Sequence, residues 1–375
     1  MRSHALLSAS SANRWLMCTP SMRLELTLPE EAESEYAKEG TLAHKLCETK
    51  LRKLKGERKR IAKVSDPEMD KYTEMYKDFV EEEWNAMKAE TKDAQLLIEQ
   101  KLEFGDYVPD GFGTSDAVLI SDKTLEVIDF KYGKGVPVNA KGNPQLRLYA
   151  LGAYMRFSLL YDFDMVKTVV FQPRLDSVSS ESITPNDLIE WGNDVVKPRA
   201  ALAFAGEGEY VVGDHCRFCR ASAICRARAE AAFEVIDKAD TDPALIDDSE
   251  IPRILDRIPN AESWIDSIKK YAQAKAIEGQ TWEGYKLVEA RTQRKIENPV
   301  AALEALEIEG YDVEDVTNTK LKGLSDLTKL LGKKKFEEVL GQYIVKPQGD
   351  PVLVPESDPR PEFNPIENAF KEETD

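Results

Sequence analysis

The sequence predicts an α/β protein, strands alternating with helices up to about residue 236, followed by a mainly helical C-terminal region. Three observations carry this. Val118, Ile120, Leu125 and Val127 alternate with other residues around Ser121-Asp122-Lys123-Thr124, the pattern of two strands joined by a tight turn. Residues 66–92 are charged but hold Tyr72, Tyr76, Phe79, Val80 and Trp84 at helical spacing. Residues 94–104 and 167–172 read as further strands, and Asn143-Pro144 opens a helix near Gln145.

In chain order, residues 7–12 (L-S-A-S-S-A) cap a short helix carrying Arg14, Trp15, Leu16 and Cys18. Thr41 is the expected N-cap of a helix starting at Gly40, on which His44 and Glu48 share a face. A lone helical histidine is more often structural than a ligand, although the chain has three histidines in all. Gly105, Pro109, Gly111 and Gly113 mark the loop into the hairpin. After the hairpin, Gly133, Gly135 and Val136-Pro137-Val138 lead to the helix where Gln145, Tyr149, Gly152 and Arg156 line one face. Thr184 opens a helix running toward Ala205. Helices are expected at 249–258 and 261–278 around Pro252 and Pro259, a strand-like segment at 284–289, and helices at 300–307 and 324–340.

The hairpin holds the first chemical signal. With Asp122 and Lys123 as loop residues, opposed positions sum to 245, so Asp116 faces Asp129. Their Cβ atoms then lie roughly 4.5–5.5 Å apart, and Lys131 projects from the same face. Two facing carboxylates repel unless a cation lies between them. Asp116 with Asp129-x-Lys131 is therefore a candidate divalent-metal site, the alternative being a solvated hairpin face. Leu125 and Val127 share that face and argue that it is buried.

The second signal is Cys216-x2-Cys219-x5-Cys225, three cysteines within ten residues. With remote Cys18 they make four thiolates, enough for a [4Fe–4S] cluster or for zinc. Cys47 is left over as a packing residue.

These motifs resemble the core of the PD-(D/E)XK nucleases, in particular the RecB-like branch: G-x-x-x-H at 40–44, Asp116, Asp129-Phe130-Lys131-Tyr132-Gly133, and Gln145 followed by Tyr149. The sequence departs from the branch's Asp-Tyr-Lys-Thr-Gly at Phe130 and Tyr132, neither a chemical position. The resemblance implies a restriction-endonuclease-like core, a mixed central β-sheet flanked by helices. It implies that His44, Asp116, Asp129 and the Phe130 carbonyl hold Mg²⁺ or Mn²⁺, that Lys131 is catalytic, and that Gln145 and Tyr149 line the active site. The remote-plus-clustered cysteine layout resembles AddB-type helicase–nucleases and the nucleases of CRISPR adaptation, and implies iron rather than zinc. The whole order also resembles a phage and prophage family of RecB-like proteins. The implied activity is a metal-dependent DNA nuclease, an exonuclease, working in recombination beside a phage single-strand annealing or recombination protein. The alternatives are a non-cleaving DNA-binding scaffold and a zinc-stapled interaction protein.

Composition sets the remaining bounds. At 375 residues with 42% hydrophobic and 32% charged content, the chain can bury a large core. No run reaches the ~18 apolar residues of a membrane span, and Ala5-Leu6-Leu7 is too short for a signal-peptide core, so a cytoplasmic protein in a bacterial host is expected. The net charge of −17 argues against nucleic acid as a partner, but its distribution is uneven. Residues 346–375 hold eight acids and three bases among many prolines, a composition expected to be disordered. Residues 50–63 hold eight bases and one acid, either a solvated helix face or a phosphate-contacting patch. Three regions are expected: a nuclease domain over 1–236, a mainly helical region over 237–345, and the acidic tail. No lysine-bearing phosphate loop is present, so no helicase motor is encoded.

Overall fold

A computed structural model describes residues 5–29, 34–57, 66–236 and 248–286, with isolated positions at 332, 334, 335 and 338. The chain divides into a compact unit, residues 1–278, and a second, 279–375. The sheet and its helices lie in the first. The expected helix at 300–307, all but four positions of the one at 324–340, half of the strand-like segment at 284–289, and the acidic tail fall outside the described residues. Among the described residues no helix is long and apolar enough to cross a membrane.

Five strands, β1 (Gln95–Glu103), β2 (Phe112–Ile120), β3 (Thr124–Phe130), β4 (Met165–Gln172) and β5 (Ser177–Ile183), lie in sequence order in one sheet. β3 and β4 are parallel and every other neighbouring pair is antiparallel, so the sheet is mixed. The β2–β3 pairs run Ala117↔Ile128, Val118↔Val127, Leu119↔Glu126 and Ile120↔Leu125. Each sums to 245, the register expected from a two-residue loop, and Ser121 N–H closes the turn onto the Thr124 carbonyl at 2.9 Å.

The parallel step from β3 to β4 needs a long crossover, and α5 (Pro144–Phe157) supplies it. Asn143 caps it, its side chain accepting from the Gln145 and Leu146 amides, with Pro144 in the first turn where a missing N–H costs nothing. Leu146, Leu148, Tyr149 and Leu151 of α5 pack on the sheet face of Val118, Ile120, Leu125, Val127, Val166 and Val170. The other face, with Leu119, Ile128, Phe130, Val169 and Phe171, is covered by α3 (Glu35–Leu54) and α4 (Pro67–Glu90) through Leu46, Leu51, Tyr76 and Val80. Period-2 burial therefore sends alternate β3 residues into two separate cores.

Short α1 (Ala12–Met17) and α2 (Ser21–Glu25) join the α5 side, packing near α7 (Lys197–Ala205), which follows α6 (Pro185–Trp191) through one π-helical turn. Buried Trp15 donates its indole N–H to the Ser8 carbonyl, and Arg199 donates to the Leu16 carbonyl. Farther on, α8 (Arg226–Ile236) pairs with α9 (Ile251–Ile277) around Ala232, Ala261 and Trp264.

Three expectations need correction, and one strand is new. The helix carrying His44 starts two turns early: Ser34, not Thr41, is its N-cap, accepting from the Ala37 amide. Gly113 lies inside β2, where a Cβ would meet the Tyr149 ring at 2.6 Å, so its small size serves packing rather than a turn. The helices expected on either side of Pro259 are one continuous helix, because Ala261 and Trp264 bury against α8 and packing outweighs the lost hydrogen bond. β5 was not foreseen; S-V-S-S-E-S-I is an edge strand with little apolar signal, paired residue by residue with β4.

Glu126, fully buried on the α4 side of β3, reaches the Lys167 ammonium at 3.0 Å, while Lys167 also bonds Glu83 at 2.8 Å. Burial pushes the Glu126 carboxyl up to about 7, whereas Lys167 is raised by its two acids against its own burial. The two directions conflict over the strength of the pair. Burial decides, because Lys167 is shared and part-exposed while both Glu126 oxygens lack a hydrogen bond. The folded state then holds more protons than the unfolded chain between the ordinary 4.5 and about 7. This contribution to stability is complete below pH 4.5 and is lost as pH rises through about 7. Glu126→Gln should flatten that slope, read as the difference between mutant and wild-type urea midpoints from pH 4.5 to 8. Parallel slopes in the two proteins would refute this account.

Candidate functional site

The two carboxylates meet at the end of β3, beside the N-terminus of α5. Asp129 is 4% exposed. Asp116 Oδ1 accepts from His44 Nδ1 at 2.8 Å and its Oδ2 from the Phe130 amide at 2.8 Å. Lys131, just past β3, has its ammonium 3.1 Å from Asp129 Oδ2 and 3.0 Å from Gln145 Oε1. The Gln145 amide then donates to Asp129 Oδ1 at 3.1 Å and to the Tyr149 hydroxyl at 3.3 Å. All six expected site residues with side-chain roles, His44, Asp116, Asp129, Lys131, Gln145 and Tyr149, thus form one contact chain. Phe130 is fully buried against Tyr76, Tyr132 and His44, with its backbone between the two acids.

Local sequence explains how each arrives. The hairpin register sets Asp129 opposite Asp116, and the N–H of Lys131 extends the β3–β4 ladder to the Phe171 carbonyl. Beyond Lys131 the chain is held by buried Gln172, which accepts from Val138 N–H and donates to the Gly133 and Val136 carbonyls. Gln145 and Tyr149, one helical turn apart on α5, reach the same spot. His44 comes from α3 on the opposite side of the sheet.

Burial pushes the Asp129 carboxyl up, with Asp116's charge adding to it, while Lys131 opposes. Lys131 is itself raised, Asp129 outweighing its burial, so the ammonium stays charged. His44 is also raised: burial lowers it, but Asp116 prevails. In the neutral ring, donation from Nδ1 to Asp116 leaves Nε2 as the lone pair open to a cation, the usual pattern of a ligating histidine.

Glu99 was not recognised in the sequence. It lies opposite Asp116 between the pairs Ile98↔Ala117 and Gln100↔Ser115, where both residues drop out of the ladder, and its φ is +48°. A left-handed glutamate is strained, and strain of this kind concentrates at functional sites. Burial and then Asp116 push its carboxyl up to about 7. The β1–β2 connection is long, so no turn rule reveals this pairing. Three acids thus face one lysine, leaving negative charge that suits a divalent cation. Asp129 Oδ2, within ion-pair reach of Lys131 but without a hydrogen bond, is a lone pair available to it.

The basic run is corrected in part. Lys50 is buried and paired with Asp70 and Glu74, and Arg52 binds Glu48 and Glu57, so neither is free for phosphate. Residues 58–63 of the run lie outside the described residues.

A second site forms where the N-terminus meets residues 210–228. Cys18, Cys216, Cys219 and Cys225 all line one small cavity, though Cys18 is remote in sequence. Polar contacts bring it there. Arg14 binds Glu25 at 2.8 Å and donates to the Phe218 carbonyl, Glu25 accepts from the Arg220 amide at 2.7 Å, and Arg220 donates to the Pro29 carbonyl. Burial pushes the Cys219 thiol up to about 12. Arg228 and Arg220 are spent on structure, Arg228 being buried and donating to Ser263 and Ser267, whereas Arg217 and Arg226 beside the same cysteines are exposed. Cys47 packs in the α3–α4 core as expected. Four thiols on one cavity are a donor set that fits an iron–sulfur cluster or zinc. Among the described residues no three His, Cys, Asp or Glu side chains stand close enough to grip one ion.

The fold and this site define a helix-flanked mixed-sheet protein with a buried acid–lysine cluster and a four-cysteine cavity. The chain matches, over residues 4–361, the family described as Protein of unknown function (DUF2800), and it belongs to that family. Among solved structures it is similar to one titled "Crystal structure of SSO0001", 16% identical, covering 56% of this chain and 94% of that one with a TM-score of 0.23. A likeness so loose carries no argument about fold or chemistry.

Because Asp116 raises both Glu99 and Asp129, Asp116→Asn removes charge from a crowded site. With EDTA present, the mutant should melt at or above the wild-type temperature. Excess Mn²⁺ should raise the wild-type midpoint, by about 2.7 kcal/mol of stability at 100 times Kd, and leave the mutant unmoved. Full Mn²⁺ stabilisation of Asp116→Asn in thermal melts would disprove Asp116 as a ligand.

Proposed function

We propose that this protein is a metal-dependent deoxyribonuclease, an exonuclease hydrolysing phosphodiester bonds from DNA ends, with an iron–sulfur cluster closing its chain. The observation that supports it most is the Gln145 amide, whose oxygen accepts from Lys131 while its nitrogen donates to Asp129 and Tyr149. A structural ion pair needs no such second support; a pair that must hold its geometry through a reaction does.

Asp116, Asp129, His44 and the Phe130 carbonyl would hold Mg²⁺ or Mn²⁺. Such an ion supplies charge neutralisation at the scissile phosphate and a bound water of lowered pKa. The chain's own residues do the rest. Lys131 keeps its proton, held by Asp129, and presents a fixed positive charge where negative charge grows on the phosphate. Gln145 fixes the Lys131 ammonium and prevents Asp129 from turning away. Tyr149 and the α5 N-terminus wall the site, and the helix end adds a positive dipole toward an anion. Glu99, whose carboxyl lies near 7, can take a proton beside Asp116 at neutral pH.

Lys131→Ala should lower cleavage by ~10²–10³-fold, the usual effect of removing one oriented charge from a transition state. The assay is end-labelled linear and closed circular DNA incubated with Mn²⁺, circular DNA being spared by an exonuclease. The mutant should keep the wild-type Mn²⁺ response in thermal melts, since Lys131 is not a ligand. Cleavage by Lys131→Ala at the wild-type rate would exclude the mechanism, and an inert wild type would exclude the activity.

A further inference from the structure

Three residues that line the cysteine cavity each carry a buried hydrogen-bond donor with no partner: Nε of Arg14, Oγ of Ser21 and Nε of Arg228. Ser21 and Arg228 are each 2% exposed, so solvent does not satisfy them. The rest of each arginine is committed elsewhere. The terminal nitrogens of Arg228 donate to Ser263 at 2.9 Å and Ser267 at 3.4 Å, and those of Arg14 go to Glu25 and the Phe218 carbonyl. Anchoring of this kind holds the two Nε–H groups in place without using them.

A fold rarely leaves a buried donor unpaired, and three beside a single cavity call for an explanation. Water is a poor one, since the cavity surface is almost wholly apolar. The four cysteines supply sulfur rather than strong oxygen acceptors. An occupant that carries its own negative charge and its own acceptor atoms answers both facts.

We propose that Arg14, Ser21 and Arg228 are positioning residues for that occupant. They donate to the sulfur atoms of a cluster held by Cys18, Cys216, Cys219 and Cys225, and so raise its reduction potential. The inference rests on the iron–sulfur reading given above. Its physical basis is charge: one-electron reduction adds a negative charge to the cluster, and donors together with a buried guanidinium stabilise that more negative form. Arg228 also carries the site's electrostatics to α9, because the same guanidinium is hydrogen-bonded to two serines of that helix.

The test is an anaerobic redox titration of the full chain, with dithionite as reductant, followed by visible absorbance and electron paramagnetic resonance. Arg228→Lys keeps the charge but removes the oriented Nε–H. It should cut the reduced-to-oxidised ratio at the wild-type midpoint by ~10-fold, a downward shift of about 59 mV for a one-electron couple. Ser21→Ala, which deletes one oxygen and leaves the fold intact, should shift the midpoint the same way by a smaller factor. If Arg228→Lys does not fold, Ser21→Ala decides alone. Iron content equal to wild type with an unmoved midpoint in Ser21→Ala would overturn this proposal and leave the cluster itself standing. Wild-type protein that purifies anaerobically with zinc and no visible absorbance would overturn the cluster, and this proposal with it.

Discussion

The repulsion between Asp116 and Asp129 is the constraint around which this fold is arranged. Two acids set across a hairpin at a buried sheet end cannot rely on water for compensation, since charges interact more strongly as the local dielectric falls. Everything nearby answers that. The Phe130 amide and His44 engage Asp116, and Lys131 and Gln145 engage Asp129. These partners come from β3, α3 and α5, on both sides of the sheet, so the charge cluster joins the two cores. The compensation is incomplete, because Glu99 adds a third acid, whose carboxyl is driven upward by burial first and by Asp116 second.

Strand β3 shows how one element treats buried acids in two ways. Glu126 and Asp129 point to opposite faces three residues apart. Glu126 meets Lys167, itself shared with Glu83, inside an aromatic and aliphatic core, and neither of its oxygens has a hydrogen bond. Asp129 meets a lysine whose other contact is an amide that in turn contacts a tyrosine. The first arrangement is an isolated buried pair, which contributes little net stability. The second is a network in which each polar group holds the next.

The N-terminal helices make a different connection. α1 and α2 carry few residues and could not fold alone, yet Trp15 is fully buried and Arg14, Thr19 and Arg23 reach carbonyls between residues 204 and 218. Their stability is therefore borrowed from the far end of the domain. Cys18 sits at the end of α1 and is carried to the other three cysteines by these contacts.

What the sequence determined by itself was local. A two-residue loop sets hairpin register by arithmetic, so Asp116, Asp129 and Lys131 could be placed together with no tertiary knowledge. Helical spacing did the same for Gln145 with Tyr149, and Cys216-x2-Cys219-x5-Cys225 announced its own cluster. The tertiary structure decided whatever depends on elements meeting at a distance. It brought His44 from α3 to Asp116, put Glu99 in a strained conformation opposite that acid, and neutralised Lys50 and Arg52 within a run that reads as a basic patch. It also carried α9 through Pro259 and added β5 to the sheet. None of these leaves a periodic trace, because each is settled by packing between segments far apart in the chain, and packing energy exceeds the local preferences that a sequence displays.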